Sequence, residues 1–432
     1  MNKIFLKLRT KLKTEDGFLK SVAVLVGGNT LAQVLTLLAL PVLTRLYTPE
    51  DFSILAIYMS IVGLVGGVSC LRFEIAIPHP KQDIDALSLL VLALLSNFIF
   101  FIILLLLLCF FENSLVQIVS NTVVFDYLWL LPVGIFFSSF YNVFQYWAVR
   151  KKEFNIVAKS RISQSVTGNS TQILFGLIGG GIFGLLLGHI LNLSAGIVSF
   201  LKYFFVNIKF IYKNLTLNKI LENLKEYQNY PKYSTLEALA NNAGIQLPII
   251  LIATFAIGAE AGFLMLATKV MAIPVKFIGS AVAQVFLGSA AEEYRKGTMK
   301  KYTVLCIKKI AKIGVFPLIV ICSIAPLIFP YIFGQQWSRS GDMVIWMLPW
   351  FIMQLITSPI SLSLNIIGLQ KIALILQIIG FFLRTIGLLV IVKINTNILF
   401  EYYAVSSFIF YFIYFSVIIY CISYSDSKVV KV

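Results

Sequence analysis

Residues 84–111 read IDALSLLVLALLSNFIFFIILLLLLCFF, one continuous apolar run that carries a single charged residue, Asp85. The run is longer than the roughly 20 residues that an α-helix needs to cross a bilayer, and it lacks the apolar-polar alternation of a barrel strand. Lipid offers the backbone no hydrogen-bond partner, so such a segment crosses as a helix that satisfies its own backbone. The stretch therefore predicts an all-α integral membrane protein.

The rest of the chain repeats this pattern. Of its 432 residues, 59% are hydrophobic and 12% are charged, which leaves too little polar surface to cover a water-facing exterior. We predict about twelve transmembrane helices, on the basis of apolar runs at residues 21–44, 53–77, 84–111, 125–148, 160–179, 182–206, 234–257, 260–288, 303–330, 342–367, 372–392 and 398–422.

Lysine and arginine positions test this topology, because short cytoplasmic loops collect positive charge. With both termini in the cytoplasm, the outer loops hold only Arg45, Arg339 and Lys393, and most of the other basic residues lie in cytoplasmic segments. The net charge of +16 then reflects topology and attraction to anionic lipid, with no nucleic-acid partner expected.

A polar, basic stretch at residues 207–232 interrupts the apolar pattern and predicts a cytoplasmic amphipathic connector. It separates an N-terminal six-helix lobe, residues 1–206, from a C-terminal six-helix lobe, residues 233–432. The lobes share a motif, LWLLP at residues 128–132 and IWMLP at residues 345–349. Six spans return the chain to the same side, so the pattern predicts a parallel repeat.

Several predicted spans carry polar residues at helical spacing, which places them on one helix face. Lipid disfavours such a face, so we expect it to line a hydrated cavity or to form interhelical hydrogen bonds. The candidate cavity residues are Asn29, Gln33, Asn142, Gln145, Gln164, Asn241, Gln354 and Asn365.

Apart from the basic residues counted with the cytoplasmic side, four lie inside predicted spans: Lys269, Lys276, Arg384 and Arg72. A charge at the centre of a membrane helix costs roughly 2.5–3.5 kcal/mol on insertion scales. It persists when it pairs with an acid, here Glu74 or Glu237, or when it has a binding role; Arg72 has the further alternative of reaching the inner interface. The excess of cations favours an anionic substrate, phosphate in particular.

The sequence also has no phosphate-binding Gly-rich loop with Lys, no metal-ligand spacing and no extramembrane segment large enough for a catalytic domain. These features favour a transporter over an enzyme, without a cofactor. The energy then has to come from an ion gradient, the membrane potential or the substrate gradient. Glu74 and Glu237 are the candidates for proton or ion coupling.

Two runs resemble a known family. LPVLTRLYTPEDF at residues 40–52 resembles the first outer loop of polysaccharide exporters, and LRFEIAIP at residues 71–78 resembles the Leu-Arg-Tyr-Glu pattern after their second helix. These exporters are the Wzx-type O-antigen repeat-unit flippases of the MOP (MATE-like) superfamily.

The resemblance implies two six-helix bundles around a cationic cavity, in the bacterial cytoplasmic (inner) membrane. It implies alternating access that moves an undecaprenyl-pyrophosphate-linked oligosaccharide to the outer leaflet. The oligosaccharide would be a repeat unit of an O-antigen, as in lipopolysaccharide, of a capsule or of an exopolysaccharide. The implied partners are this lipid-linked oligosaccharide, membrane lipid and other polysaccharide-assembly membrane proteins.

Two alternatives remain open at this point. A multidrug or metabolite antiporter of the same superfamily would have an acid-rich cavity, whereas the charged residues here have the opposite bias. A membrane polysaccharide polymerase or ligase would carry a large outer loop with catalytic residues, whereas the longest plausible outer loop here is about residues 112–124.

The predicted topology is testable with single cysteines in a cysteine-free background. In intact cells a membrane-impermeant maleimide is expected to label Glu50→Cys, in the first outer loop, and to label Lys296→Cys only after permeabilisation. The reverse pattern would contradict the assignment of both termini to the cytoplasm.

Overall fold

The computed structural model describes residues 2–118, 126–207 and 215–429. Within these three ranges the chain is almost entirely helical and contains no strand. Residues 119–125, which include the end of the predicted outer loop, and residues 208–214 of the predicted connector lie outside the described residues.

The described ranges contain these helices in chain order: α1 (Asn2–Leu46), α2 (Pro49–Gly66), α3 (Phe73–Ala76), α4 (Asp83–Ile118), α5 (Leu130–Arg150), α6 (Phe154–Leu177), α7 (Gly181–Ser194), α8 (Ile197–Asn207), α9 (Leu217–Glu226), α10 (Thr235–Phe255), α11 (Glu260–Arg295), α12 (Met299–Ile310), α13 (Phe316–Phe333), α14 (Ser338–Ile360), α15 (Ser363–Ile366), α16 (Gln370–Phe381), α17 (Gly387–Ile394) and α18 (Leu399–Val429).

The helices confirm the all-α membrane fold. Ten segments in the described ranges are long and apolar enough to cross a membrane, and they include α1, α2, α4 and α18. The fourth and fifth predicted spans correspond to α5 and α6, which have 21 and 24 residues. Both reach the length of a crossing, and α6 is markedly polar. The chain is a multi-pass membrane protein, and about twelve spanning helices fit its element order.

The second predicted span, residues 53–77, is wrong in its inner part. Helix α2 ends at Gly66, and residues 67–72 form turns before α3. A Cβ on Gly67 would lie 2.6 Å from Nδ2 of Asn242, so an amide occupies the place of a side chain. Two successive glycines also weaken a helix by roughly 1 kcal/mol each. The break leaves Leu71 and Arg72 in the left-handed region, with φ of 50° and 62°.

The glycines at residues 179–181 separate α6 from α7, as the sequence indicates. Gly179 and Gly181 have φ of 75° and 52°, values that glycine adopts without a steric penalty. The N–H of Gly180 donates to the carbonyl of Phe175 at 2.7 Å, which closes the end of α6.

The chain divides into two compact units. Unit 1 comprises Met1–Leu46 and Ile61–Asn242, and unit 2 comprises Tyr47–Ser60 and Ala243–Val432. Residues 47–60 belong to unit 2 because the start of α2 packs there: the Ser53 hydroxyl accepts from the N–H of Gly262 at 2.8 Å. The predicted lobes, with boundaries at residues 206 and 233, divide the chain at other places and stay a prediction about the repeat.

Unit 1 is organised around α6, which packs against α1 and α7. Its buried face is polar and small: Ser165 Oγ lies 3.0 Å from Thr36 Oγ1 and donates to the Ala32 carbonyl of α1 at 2.8 Å. On the other side Gln172 donates to the Leu185 carbonyl of α7 at 2.9 Å. Small residues and interhelical hydrogen bonds are the usual means of helix association in membranes.

Helix α9, within the predicted connector, is held to the start of α4. Lys219 Nζ lies 2.9 Å from Asp85 Oδ1, and Asn223 Nδ2 donates to the same oxygen at 3.2 Å. The hydrogen bond with Asp85 raises the pKa of Lys219 above its ordinary value. The connector is therefore fixed to unit 1 by charge and by an amide.

In unit 2, α14 packs against α11, α13 and α18.

Neighbouring glycines on α1 allow a matched test of the α1–α6 packing. A Cβ on Gly28 would lie 2.6 Å from Ala158 Cβ and 2.9 Å from its Cα, whereas a Cβ on Gly27 would meet nothing within 4 Å. Both Gly→Ala substitutions gain the same helix propensity, but only Gly28→Ala overpacks the interface, at a cost of about 1–3 kcal/mol. We expect Gly28→Ala to lower the thermal midpoint in detergent relative to Gly27→Ala. Equal midpoints would contradict the close contact.

Candidate functional site

Arg384 is the most enclosed cation of the predicted set. Its side chain is 7% exposed, and Nε donates to the carbonyl of Gly380 at 3.1 Å. The guanidinium carbon lies 4.5 Å from the ring centroid of Phe410 on α18. No ion pair joins Arg384 to a carboxylate within the described ranges. Its charge is held by a ring face and a backbone dipole, without neutralisation by an acid.

The local backbone explains how Arg384 is positioned. Residues Phe382–Ile386 form a π-turn between α16 and α17, a feature that is frequent at functional sites. The hydroxyl of Tyr402 donates to the carbonyl of Leu383 at 2.9 Å and satisfies a backbone group at this irregularity. Gly380 lies so close to the ring of Phe410 that a Cβ would not fit, which brings α18 near the guanidinium.

Lys269 and Lys276 lie on α11, also in unit 2, seven residues apart and so on one helix face. Lys269 is half-buried and Lys276 is exposed. Within the described part of the chain neither ammonium group has a hydrogen bond or an ion pair. Lys269, Lys276 and Arg384, all in unit 2, thus have no carboxylate partner within the described ranges.

Arg72 is different, because its charge is compensated. Its NH1 lies 3.7 Å from Glu74 Oε1, which is the ion pair that the sequence left open as an alternative. Arg72 Nε and Glu74 Oε2 are buried without a hydrogen-bond partner, and Arg72 is one of the two left-handed residues of the turn. A strained backbone next to an incompletely satisfied buried pair is typical of a functional site.

Gln145 and Gln164 come together at Arg161, which lies at the start of the fifth predicted span and which the sequence reasoning counted with the cytoplasmic charges. Arg161, on α6, donates from NH2 to Gln145 Oε1 at 2.8 Å and from NH1 to Gln164 Oε1 at 3.3 Å. Its guanidinium carbon lies 5.3 Å from the ring centroid of Tyr141. The spacing of Arg161 and Gln164, three residues apart on one helix, was the available signal.

The other predicted site residues are dispersed. Asn29 and Asn142 are half-buried in unit 1, and Gln33, Asn241 and Glu237 are exposed. Glu237 has no ion pair within the described ranges, so it does not compensate a cation there. In unit 2, Gln354 has a buried Oε1 without a partner. Asn365 lies on α15, and its side chain lies outside the described part of the structure. The cavity-lining roles of these residues stay predictions.

Two further arginines are structural. Arg339 pairs with Glu260 at 3.1 Å and with Glu401 at 2.7 Å, which joins α14 to α11 and α18. Arg150 pairs with Asp83 at 3.0 Å and donates to the Pro80 carbonyl at 2.5 Å. Their carboxylate partners distinguish them from Arg384 and Arg161. No group of three or more His, Cys, Asp or Glu residues in the described ranges could hold a metal ion.

Comparison with solved structures places this architecture among known transporters. An inward-facing multidrug resistance MATE family transporter of the MOP superfamily has a TM-score of 0.71 at 16% identity, covering 92% of this chain and 96% of that chain. The lipid II flippase MurJ, in an inward closed conformation, has a TM-score of 0.69 at 15% identity, covering 94% and 90%.

A MOP superfamily transporter from Pyrococcus furiosus has a TM-score of 0.56 at 17% identity, covering 94% of this chain and 96% of that chain. That transporter is described as having a binding pocket of reverse polarity, which suggests a different function. At these identities the likeness shows a shared fold.

No curated protein matches the chain. A family model described as "Polysaccharide biosynthesis protein" matches residues 42–342, which is well over half of the sequence. The match includes most of the run at residues 40–52 and all of the run at residues 71–78, on which the resemblance rests. The chain therefore belongs to this polysaccharide biosynthesis protein family and has the fold of the MOP superfamily transporters.

Proposed function

We propose that this protein is a flippase that moves an undecaprenyl-pyrophosphate-linked oligosaccharide from the cytoplasmic to the outer leaflet by alternating access. One observation carries the proposal: Arg384 is buried among membrane helices with a ring face and a carbonyl as its partners and with no carboxylate in the described ranges. Burying a cation among membrane helices is unfavourable in free energy unless a bound anion offsets the loss of hydration.

The chemistry of the three cations in unit 2 supports a pyrophosphate. Arg384 presents a planar fork that suits two phosphate oxygens, and Lys269 and Lys276 add point charges on one helix face. An organic cation would be repelled by this set, which argues against a multidrug antiporter. Membership of the polysaccharide biosynthesis family supports a sugar as the remainder of the substrate.

Known proteins with this fold support the same reading without deciding it. One of them is a lipid II flippase, and another is a transporter described by a reversed polarity of its binding pocket. The fold therefore accommodates lipid-linked cargo and pockets of different charge. At identities of 15% and 17%, the substrate of this chain has to be inferred from its own residues.

In the proposed mechanism the pyrophosphate binds Lys269, Lys276 and Arg384 of unit 2. Arg72 of unit 1 is a separate candidate for a phosphate contact when it is released from Glu74. The glycan occupies a hydrated space lined by polar side chains, while the polyprenyl tail stays in lipid. Protonation of Glu74 would remove its ion pair with Arg72 and strengthen phosphate binding, which offers a route to H⁺ coupling. Glu237 and a Na⁺ gradient are the second coupling candidates.

We place the protein in the bacterial cytoplasmic membrane with both termini inside, together with other polysaccharide-assembly membrane proteins. In this role it transports its substrate without chemical change. The basic cytoplasmic segments predicted from the sequence support the orientation.

The double substitution of Lys269 and Lys276 by Gln tests the proposal. In proteoliposomes we expect wild-type protein to deliver a labelled polyprenyl-pyrophosphate oligosaccharide to the opposite leaflet. We expect the double variant to lose at least about 90% of the initial rate, because each lost charge-assisted contact is worth about 1.5–3 kcal/mol. Accessibility of the label to an impermeant lectin measures the rate.

Lys296→Gln is the matched control, since Lys296 lies at the end of α11, is exposed, and pairs with Glu292 at 2.6 Å. Its rate should equal that of wild type. Unchanged flipping by the double variant would refute the assignment of the pyrophosphate. Export of a cationic dye without any flipping, across several glycans and with a pH or Na⁺ gradient, would favour the antiporter.

A further inference from the structure

Arg161 has unused hydrogen-bonding capacity. A guanidinium carries five N–H donors in a fixed plane, and two of them donate to Gln145 Oε1 and Gln164 Oε1. The other three have no partner within the described ranges. The side chain is half-buried, so a ligand or water can reach this free edge.

Its orientation is fixed by neutral groups on three helices. The amide of Gln164 is 4% exposed and donates from Nε2 to the carbonyl of Leu193 on α7 at 2.8 Å, which turns its oxygen toward Arg161. The Tyr141 ring on α5 supports one face of the guanidinium, and its hydroxyl lies 2.8 Å from Ser160 Oγ. The fork is therefore held before any ligand arrives.

The partners of Arg161 leave its charge intact. Arg72, Arg150 and Arg339 each pair with at least one carboxylate. Within the described ranges only neutral acceptors and an aromatic ring contact the guanidinium of Arg161, as is the case for Arg384. In the predicted repeat α6 is the fifth span and the helix of Arg384 is the eleventh, so the two arginines occupy corresponding spans of the two halves.

We infer that Arg161, positioned by Gln145 and Gln164, forms an oxyanion-binding site of unit 1 that takes a phosphoryl group. A rigid fork with free N–H donors and an intact positive charge matches two oxygens of a phosphate. That phosphate belongs either to the pyrophosphate of the lipid-linked glycan or to an anionic phospholipid headgroup. The first source rests on the proposed function, whereas the binding site itself does not.

Equilibrium binding tests the inference separately from transport. Wild type, Arg161→Gln, Arg161→Lys and Lys159→Gln would be placed in phosphatidylcholine nanodiscs and titrated with inorganic pyrophosphate by calorimetry. We expect Arg161→Gln to weaken binding about tenfold, and Arg161→Lys to weaken it less because the charge remains and the fork is lost. Lys159→Gln removes the same charge from an exposed position on the same helix and should bind as wild type does.

A second arm distinguishes the source of the phosphate. The same four proteins would be compared in nanodiscs with and without phosphatidylglycerol. The quantity measured is the rise in the thermal midpoint of unfolding that the anionic lipid causes. Loss of pyrophosphate affinity in Arg161→Gln supports the lipid-linked substrate, and loss of the phosphatidylglycerol increment alone supports the headgroup.

Identical behaviour of Arg161→Gln and Lys159→Gln in both arms would overturn the site. Arg161→Lys retains the charge and keeps the comparison interpretable if Arg161→Gln does not fold. Intact pyrophosphate binding without any flipping by wild type would instead count against the proposed function and leave the site standing.

Discussion

A positively charged guanidinium among apolar helices is the constraint on which this structure depends. Arg384 is only 7% exposed. A charge at the centre of a membrane helix costs roughly 2.5–3.5 kcal/mol on insertion scales. The surrounding structure reduces that cost without an acid: a π-turn presents the side chain, Phe410 supplies a ring face and Gly380 accepts from Nε. A carboxylate would stabilise the charge further but would also compete with an anionic substrate.

The contacts divide the other charged and polar groups named above into two sets. Arg339 and Arg150 bind carboxylates and join helices, and Ser165 and Gln172 join α6 to its neighbours. Arg161, Lys269 and Lys276 have no carboxylate partner within the described ranges. Arg72 stands between the two groups, because its pairing with Glu74 at 3.7 Å leaves Arg72 Nε and Glu74 Oε2 unsatisfied. A proton on Glu74 would therefore change the balance of charge in unit 1.

Apolar length determined most of the fold, and so the sequence predicted it well. The run at residues 84–111 became α4, and the glycines at residues 179–181 separate two helices as expected. The break at Gly66 was missed because Asn242, far away in the sequence, occupies the space beside Gly67. Arg161 was missed because its partner Gln145 lies on another helix. Intramembrane cations were found from composition, but whether each one meets an acid depends on packing that a single sequence does not encode.

The central claim is that Arg384 binds the pyrophosphate of a lipid-linked substrate. The most direct measurement is the affinity of polyprenyl pyrophosphate for wild type, Arg384→Gln and Lys393→Gln in nanodiscs, where Lys393 is an exposed residue of α17. The account predicts that Arg384→Gln binds at least about tenfold more weakly, since a charge-assisted contact of roughly 1.5–3 kcal/mol is lost, while Lys393→Gln binds as wild type does. Equal affinities of all three proteins would contradict the account.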